Sequence, residues 1–269
     1  MSDRVVVEVE DGVADVRLNR ADKMNALDSA MFHALSEAAD RIRERSDVRV
    51  VVLSGEGRAF CAGLDFDSFR GMADSDDSGP REPVLEIPEG RITSSGQEPV
   101  YAWSSLEVPV IAAVHGVALG GGLQLALGAD LRIVAPDAKL SVLEIRWGLV
   151  PDMTGTQILP QLVGLDVAKE LALTGRMVEG TEAVALGLAT KLADDPRATA
   201  LAMARDIAGK NPHAIRGTKR LLDLAGRVTL AEGFAEEARI QRALIGSPNQ
   251  VEAVTAYFER RDAVYADPS

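Results

Sequence analysis

Two short stretches carry the residue types that chemistry at a backbone amide requires. Arg58–Asp65 reads RAFCAGLD and follows the β-branched run Val48–Leu53. Gly116–Gln124 reads GVALGGGLQ and follows Val108–Val114. Both put small residues where a strand hands over to a helix. The first N–H groups of a helix have no intrahelical acceptor, so they can point at an anion or at an oxygen that becomes negative during a reaction. Glycine lets a ligand approach that backbone closely. Taken singly, each stretch reads equally well as an ordinary turn. Leu125 stands where a GxGxxG fingerprint needs its last glycine, and neither GxxxxGK[ST] nor GxSxG occurs. Dinucleotide-binding and phosphate-loop folds and the serine-hydrolase elbow therefore lose their main support.

Composition narrows the field further. The 269 residues carry a net charge of −12 and are 46% hydrophobic, which fits one α/β domain, or a core with a small appendage, and argues against global disorder. The acidic balance disfavours nucleic acid and anionic membrane as partners, because both need a basic footprint. A single cysteine, Cys61, excludes an internal disulfide, and the dispersed His33, His115 and His213 lack metal-ligand spacing, so no metal is expected. The opening MSDRVVVEVEDG has no apolar run of the signal-peptide kind; with the lone cysteine, it predicts a cytoplasmic protein. Val108–Ala129 is long and apolar enough to raise a membrane span, but His115, Gln124 and the Gly120–Gly122 triplet favour a buried strand, a tight turn and a buried helix.

The elements that must position these turns follow from periodicity. Val5–Val9 and Val13–Leu18 flank Asp11-Gly12 as a hairpin. Asp28 is placed to cap a helix over Ser29–Arg45 whose Met31, Leu35, Ala38 and Ile42 share one face. Val48–Leu53, Val108–Val114, Leu131–Ala135, Lys139–Glu144 and Leu188–Leu192 read as strands. Helices are expected to about Ala129 after the glycine triplet, then over 154–163, 166–174, 181–186, 197–210, 212–223, 229–245 and 248–265. Strands alternating with helices predict an α/β fold with mainly parallel pairing. The expected division is a core over 1–195 and a helical region over 196–269. Gly71–Pro99, rich in Asp, Ser, Gly and Pro, interrupts the pattern as a mobile acidic insertion, either a disordered loop or a lid beside the first turn.

Taken together, AFCAGLD, PVIAAVHGVALGGG and LSVLEIRWGLVPDMTGTQILPQLVG strongly resemble the crotonase (enoyl-CoA hydratase/isomerase) superfamily. NRADKMNALD (Asn19–Asp28) and LTGRMVEGTEAVALGLATKL (Leu173–Leu192) match its other landmarks. The resemblance implies a ββα-spiral core, a helical C-terminal trimerisation region and an acyl-CoA thioester substrate, with a homotrimer or dimer of trimers as the assembly. It also implies an oxyanion hole from the backbone N–H groups of Leu64 and Gly121, where two donors stabilise the charge of a thioester enolate. No cofactor is implied beyond the coenzyme A of the substrate. Met24, Ala26, Ala62, Asp65, Phe66 and Phe69 are the implied CoA- and substrate-binding positions, with Trp103, Leu143 and Met153 as further candidates along the acyl chain.

The resemblance also assigns the proton chemistry. Hydratases of the family use two glutamates. Glu144 occupies one position and Gln124 the other, and an amide does not exchange protons as a carboxylate does. One carboxylate suffices to move a proton between carbons, so isomerisation of an enoyl- or dienoyl-CoA by Glu144 is favoured. Hydration with a water held by Gln124 is the alternative, and a largely non-catalytic CoA-thioester-binding protein is a third reading. Asp152, eight residues beyond Glu144, resembles the acid/base partner of the dienoyl-CoA isomerases, although those enzymes carry Asp where this chain has Gln124. Asp152 reads equally as a helix cap. Glu144 could instead pair with Arg146. His115 reads as a hydrogen-bonded structural histidine and Cys61 as a packing residue.

Overall fold

The computed structural model describes residues 4–65 and 86–268. Val5–Glu10 (β1) and Val13–Leu18 (β2) pair antiparallel across Asp11 and Gly12, whose φ angles of 48° and 79° suit a tight hairpin loop. Ser29–Arg43 (α1) starts at Asp28, whose carboxylate accepts the Met31 N–H at 2.8 Å. Its buried face is Met31, Leu35, Ala38, Ala39 and Ile42, and it ends two residues earlier than expected. Val50–Gly55 (β3) is buried throughout.

Glu98–Ser104 (α2), Val110–Val114 (β4), Val117–Leu119 (β5) and Gly121–Leu127 (α3) follow. Leu131–Val134 (β6) and Lys139–Ser141 (β7) come next. The strand expected over Lys139–Glu144 therefore stops at Ser141, and Glu144 opens a 3-10 turn, Glu144–Trp147. Gly155–Val163 (α4), Leu165–Thr174 (α5), Val178–Glu179 (β8), Gly180–Ala185 (α6) and Lys191–Leu192 (β9) lead to the last helices. These are Pro196–Ala208 (α7), Pro212–Leu224 (α8), Leu230–Leu244 (α9) and Pro248–Glu259 (α10). α10 stops at Glu259 because Arg260 turns left-handed at φ 56°, short of the expected Tyr265. α2 begins inside the stretch read as an insertion, and most of the remainder of that stretch lies outside the described residues.

The strands form two sheets, β1-β2-β3-β4-β6-β9 and β5-β7-β8. Beyond the first hairpin the large sheet is parallel throughout. Two successive windings of the chain give one strand to the large sheet and the next to the small one, β4 then β5 and β6 then β7. This is the ββα spiral. Alternation sorts the large sheet's side chains: Val16, Leu53, Ala112 and Val134 face the main core with α1, whereas Val13, Val52, Ile111 and Ile133 face Ala200, Ala204 and Ala208 of α7. α7, expected in the separate helical region, thus covers the second face of the sheet. α9 by contrast buries none of its residues. Among the described residues no helix is long and apolar enough to cross a membrane. The suspect stretch Val108–Ala129 is divided among β4, β5 and α3.

Candidate active site

The small sheet is what brings the two turns together. Cys61 bridges Ala118 of β5, and Leu64 bridges Leu27, so the first turn lies between β5 and the end of the Asn19–Asp28 motif. Cys61 N–H donates to the Val117 carbonyl at 3.0 Å and Leu119 N–H to the Cys61 carbonyl at 3.1 Å. On the other side Leu27 N–H donates to the Gly63 carbonyl at 2.8 Å and Asp65 N–H to the Leu27 carbonyl at 3.0 Å. That pattern turns the Leu64 N–H away from Leu27. Gly63 needs its φ of 89°, and it has no room for a side chain: a Cβ there would lie 2.5 Å from the Leu119 carbonyl oxygen and 3.8 Å from the Gly121 nitrogen. Gly121 opens α3, so its N–H has no acceptor within the helix. The two backbone donors implied by the resemblance therefore stand on abutting segments, 57 residues apart in sequence.

Gln124, on α3, ties three more pieces to this corner. Its Oε1 accepts the N–H groups of Met153 and Gly155 at 2.8 and 3.0 Å. Its Nε2 donates to Glu144 Oε1 at 2.6 Å. The amide orientation follows from its partners, since only the oxygen can accept two backbone N–H groups. Glu144 is only 8% exposed, and among the described residues its Oε2 has no hydrogen-bond partner. Burial pushes its carboxyl above the usual 4.5; the Gln124 hydrogen bond works against that shift and the charge of nearby Asp152 adds to it. Glu144 is thus not taken up by a surface pair with Arg146. Asp152 is itself exposed, and partial desolvation raises its carboxyl too. It does not cap α4. The N-cap position is held by Thr154, left-handed at φ 71° and without a side-chain cap bond.

The remaining implied residues sort by position. Met24 is half-buried and accepts the Ala62 N–H through its carbonyl at 2.9 Å. Ala26 is buried and Ala62 half-buried beside it. Asp65 is buried with its carboxylate turned onto Arg20 Nη1 at 2.5 Å, an ion pair within the protein. Phe66 and Phe69 lie outside the described residues. Trp103 is wholly buried in the main core, Leu143 is half-buried, and Met153 packs against Gly121, whose missing Cβ would sit 2.8 Å from its sulfur. Cys61 is buried, donates to the Asn25 carbonyl and has its thiol pushed up to about 12 by burial, which suits packing. His115 donates through Nε2 to the Gly57 carbonyl at 2.9 Å, a structural role.

Sequence reasoning assigned no role to Arg20 and Asn25. Asn25 accepts the Arg20 N–H and donates to the carbonyls of Glu56 and Ala59 at 2.9 and 2.8 Å. Its φ of 56° follows Met24 at 50°, two left-handed residues in succession. The signal available was Asn itself, which adopts this conformation more readily than most residues. Among the described residues no cluster of three or more His, Cys, Asp or Glu could hold a metal ion.

The chain is similar in sequence and in fold to known acyl-CoA enzymes. A peroxisomal Δ(3,5)-Δ(2,4)-dienoyl-CoA isomerase of Arabidopsis thaliana is 33% identical over 252 residues, covering 93% of this chain and 91% of that protein. A mitochondrial methylglutaconyl-CoA hydratase of Mus musculus is 32% identical over 269 residues, covering 97% and 82%. The crystal structure of an enoyl-CoA hydratase from Bacillus anthracis superposes with a TM-score of 0.87 at 32% identity, covering 97% of this chain and 98% of that one. The enoyl-CoA hydratase/isomerase family model matches residues 8–268. With that match across nearly its full length and the spiral architecture, the chain belongs to the enoyl-CoA hydratase/isomerase family, the crotonases, whose enzymes act on acyl-CoA thioesters.

Proposed function

We propose that the protein isomerises a carbon–carbon double bond of an enoyl- or dienoyl-CoA thioester, with Glu144 as the proton carrier. The observation that carries this reading is the bonding of Gln124. Both lone pairs of its oxygen are used by backbone N–H groups, and its NH₂ holds Glu144. Its oxygen therefore cannot accept from a water, and no part of the amide can take a water's proton as a second carboxylate would. Hydration loses its second carboxylate, whereas isomerisation needs only one group that takes and returns a proton.

The chemistry follows from the fold. Unpartnered Oε2 of Glu144 removes the α-proton of a 3-enoyl-CoA. The C–H electron pair forms the Cα–C bond of the enolate, and the charge moves to the thioester oxygen, received by the N–H groups of Leu64 and Gly121. Collapse of the enolate shifts the double bond to the 2-position as the proton is delivered at Cγ. Burial makes Glu144 a stronger base than a surface glutamate. With a 3,5-diene the proton returns further along the chain, and Asp152 is the carboxyl available to deliver it. No cofactor takes part beyond the coenzyme A of the substrate.

A homotrimer or dimer of trimers is part of the same proposal. α9 buries no residue, and Leu230, Phe234, Tyr257 and Phe258 are each more than 60% exposed along α9 and α10. Light scattering that returns a monomer rejects this part.

The test is turnover of 3-enoyl-, 3,5-dienoyl- and trans-2-enoyl-CoA by the same preparation. Isomerisation is expected to exceed hydration. Asp152→Asn is expected to lower turnover of the diene by at least about tenfold and to leave the melting temperature near that of the wild type. Hydration outrunning both isomerisations overturns the proposal.

A further inference from the structure

We propose that Arg20 and Asp65 are positioning residues for the reaction: their ion pair holds the Leu64 N–H at the angle that receives the thioester oxygen. The proposal rests on the oxyanion role given to Leu64 above. Asp65 is the next residue along the chain, so fixing its side chain fixes the peptide plane beside the donor. Its backbone N–H is already bonded to the Leu27 carbonyl, and its carboxylate to Arg20 at 2.5 Å. Arg20 is in turn anchored twice, through its own N–H to Asn25 Oδ1 at 2.8 Å and through Nη1 to the Ala26 carbonyl at 3.1 Å. The pair is buried, with side-chain exposures of 11% for Arg20 and 5% for Asp65.

The arrangement grips the first turn at both ends. Asn25 holds the Ala59 carbonyl at its start, and Arg20 holds Asp65 at its finish. The second turn is held by close packing of its own glycines: a Cβ at Gly116 would lie 2.0 Å from the Arg58 carbonyl oxygen and one at Gly122 2.4 Å from the Cys61 carbonyl oxygen. Leu64 itself is half-buried, and among the described residues its one bridge is to Leu27. A buried ion pair is weak evidence for stability alone, because desolvation offsets much of the attraction, whereas holding a unique geometry is a role such pairs do serve.

The experiment reads the donor directly. The carbonyl stretch of bound butyryl-CoA, ¹³C-labelled at the thioester carbon, shifts to lower frequency when two N–H groups polarise it. Affinity for S-butyl-CoA, the thioether without that oxygen, serves as the control. For Asp65→Asn the carbonyl shift is expected to shrink and the preference for thioester over thioether to fall. Turnover is expected to drop about 10–100-fold, the cost of an ångström-scale misplacement, while KM moves less than about threefold. If Asp65→Asn does not fold, the paired change Arg20→Met with Asp65→Leu removes both charges at similar bulk and is expected to show the same losses. Wild-type carbonyl shift and turnover in the folded variant overturn the positioning role alone. An absent carbonyl shift in the wild-type protein overturns the oxyanion reading, and the positioning role with it.

Discussion

The two walls of the candidate site treat charge in opposite ways. On the first wall Arg20 and Asp65 neutralise each other, Asn25 bonds at both ends of its amide, and the Cys61 thiol is held neutral by burial. On the second wall Glu144 keeps one oxygen without a partner and is driven above its ordinary pKa, with the raised carboxyl of Asp152 nearby. The difference separates holding from reacting. A backbone donor needs only to be held still, so the groups behind it are fully satisfied. A proton carrier needs an unsatisfied atom and a tuned pKa.

Glu144→Gln tests the reactive wall most severely. Turnover is expected to fall about 10²–10⁴-fold, while the dissociation constant for a saturated acyl-CoA stays near wild type. Near-normal turnover would remove Glu144 from the chemistry and erase the contrast between the walls.

Asn25→Ala breaks the holding wall. Three hydrogen bonds go, two of them leaving backbone carbonyls of Glu56 and Ala59 without their donor. Alanine must also adopt the left-handed φ of 56°. A loss of about 2–4 kcal/mol of stability is expected in denaturant melts. A loss below about 1 kcal/mol would show that the first wall does not depend on side-chain anchors.

Gln124→Glu sharpens the comparison by adding a second carboxylate to the reactive wall. Restoring that carboxylate is expected to raise hydration of crotonyl-CoA by at least about tenfold. The 2.6 Å contact between Gln124 and Glu144 sets a condition on this gain. Two carboxylates at that distance share a proton over part of the pH range, so the gain should vary between pH 6 and pH 9. A gain independent of pH would mean that the two groups do not touch in solution.

The smallest effect is on the stability of Glu144→Gln as a function of pH. Burial raises the Glu144 pKa in the folded chain above its usual 4.5. The folded state then binds the proton more tightly than the unfolded one. Ionising the wild-type group destabilises the fold as pH rises through the window between 4.5 and the raised value. Glutamine has no such cost and can still accept from Gln124. The variant should melt above wild type at pH 7 and lose that advantage below pH about 4.5. An advantage that persists unchanged at low pH would point to packing instead.

Sequence by itself determined the local pieces and the family. Alternation marked β1 and β2 and continuous apolar runs marked β3 and β4; the Asp28 cap and apolar spacing marked α1; and the glycine turns with Glu144 and Gln124 carried the resemblance. β5 and β8, three and two residues long, are too short to show a period, and β5 lies within a glycine-rich run that reads as a turn. α7 reads as a helix from sequence, but nothing in that reading says that its alanines belong against the large sheet. Only the tertiary structure decided how the site residues pair. Asp65 gives no sign in the sequence of its pairing with Arg20, 45 positions earlier, which comes beside it through the Leu27–Leu64 bridge. Asp152 reads as a cap until Thr154 takes that place. Gln124 gives no sign in the sequence that its oxygen accepts from Met153 and Gly155. The physical reason is common to all three: a side chain's type is written in the sequence, but its partner and its burial depend on chain segments that meet only when the two sheets are formed.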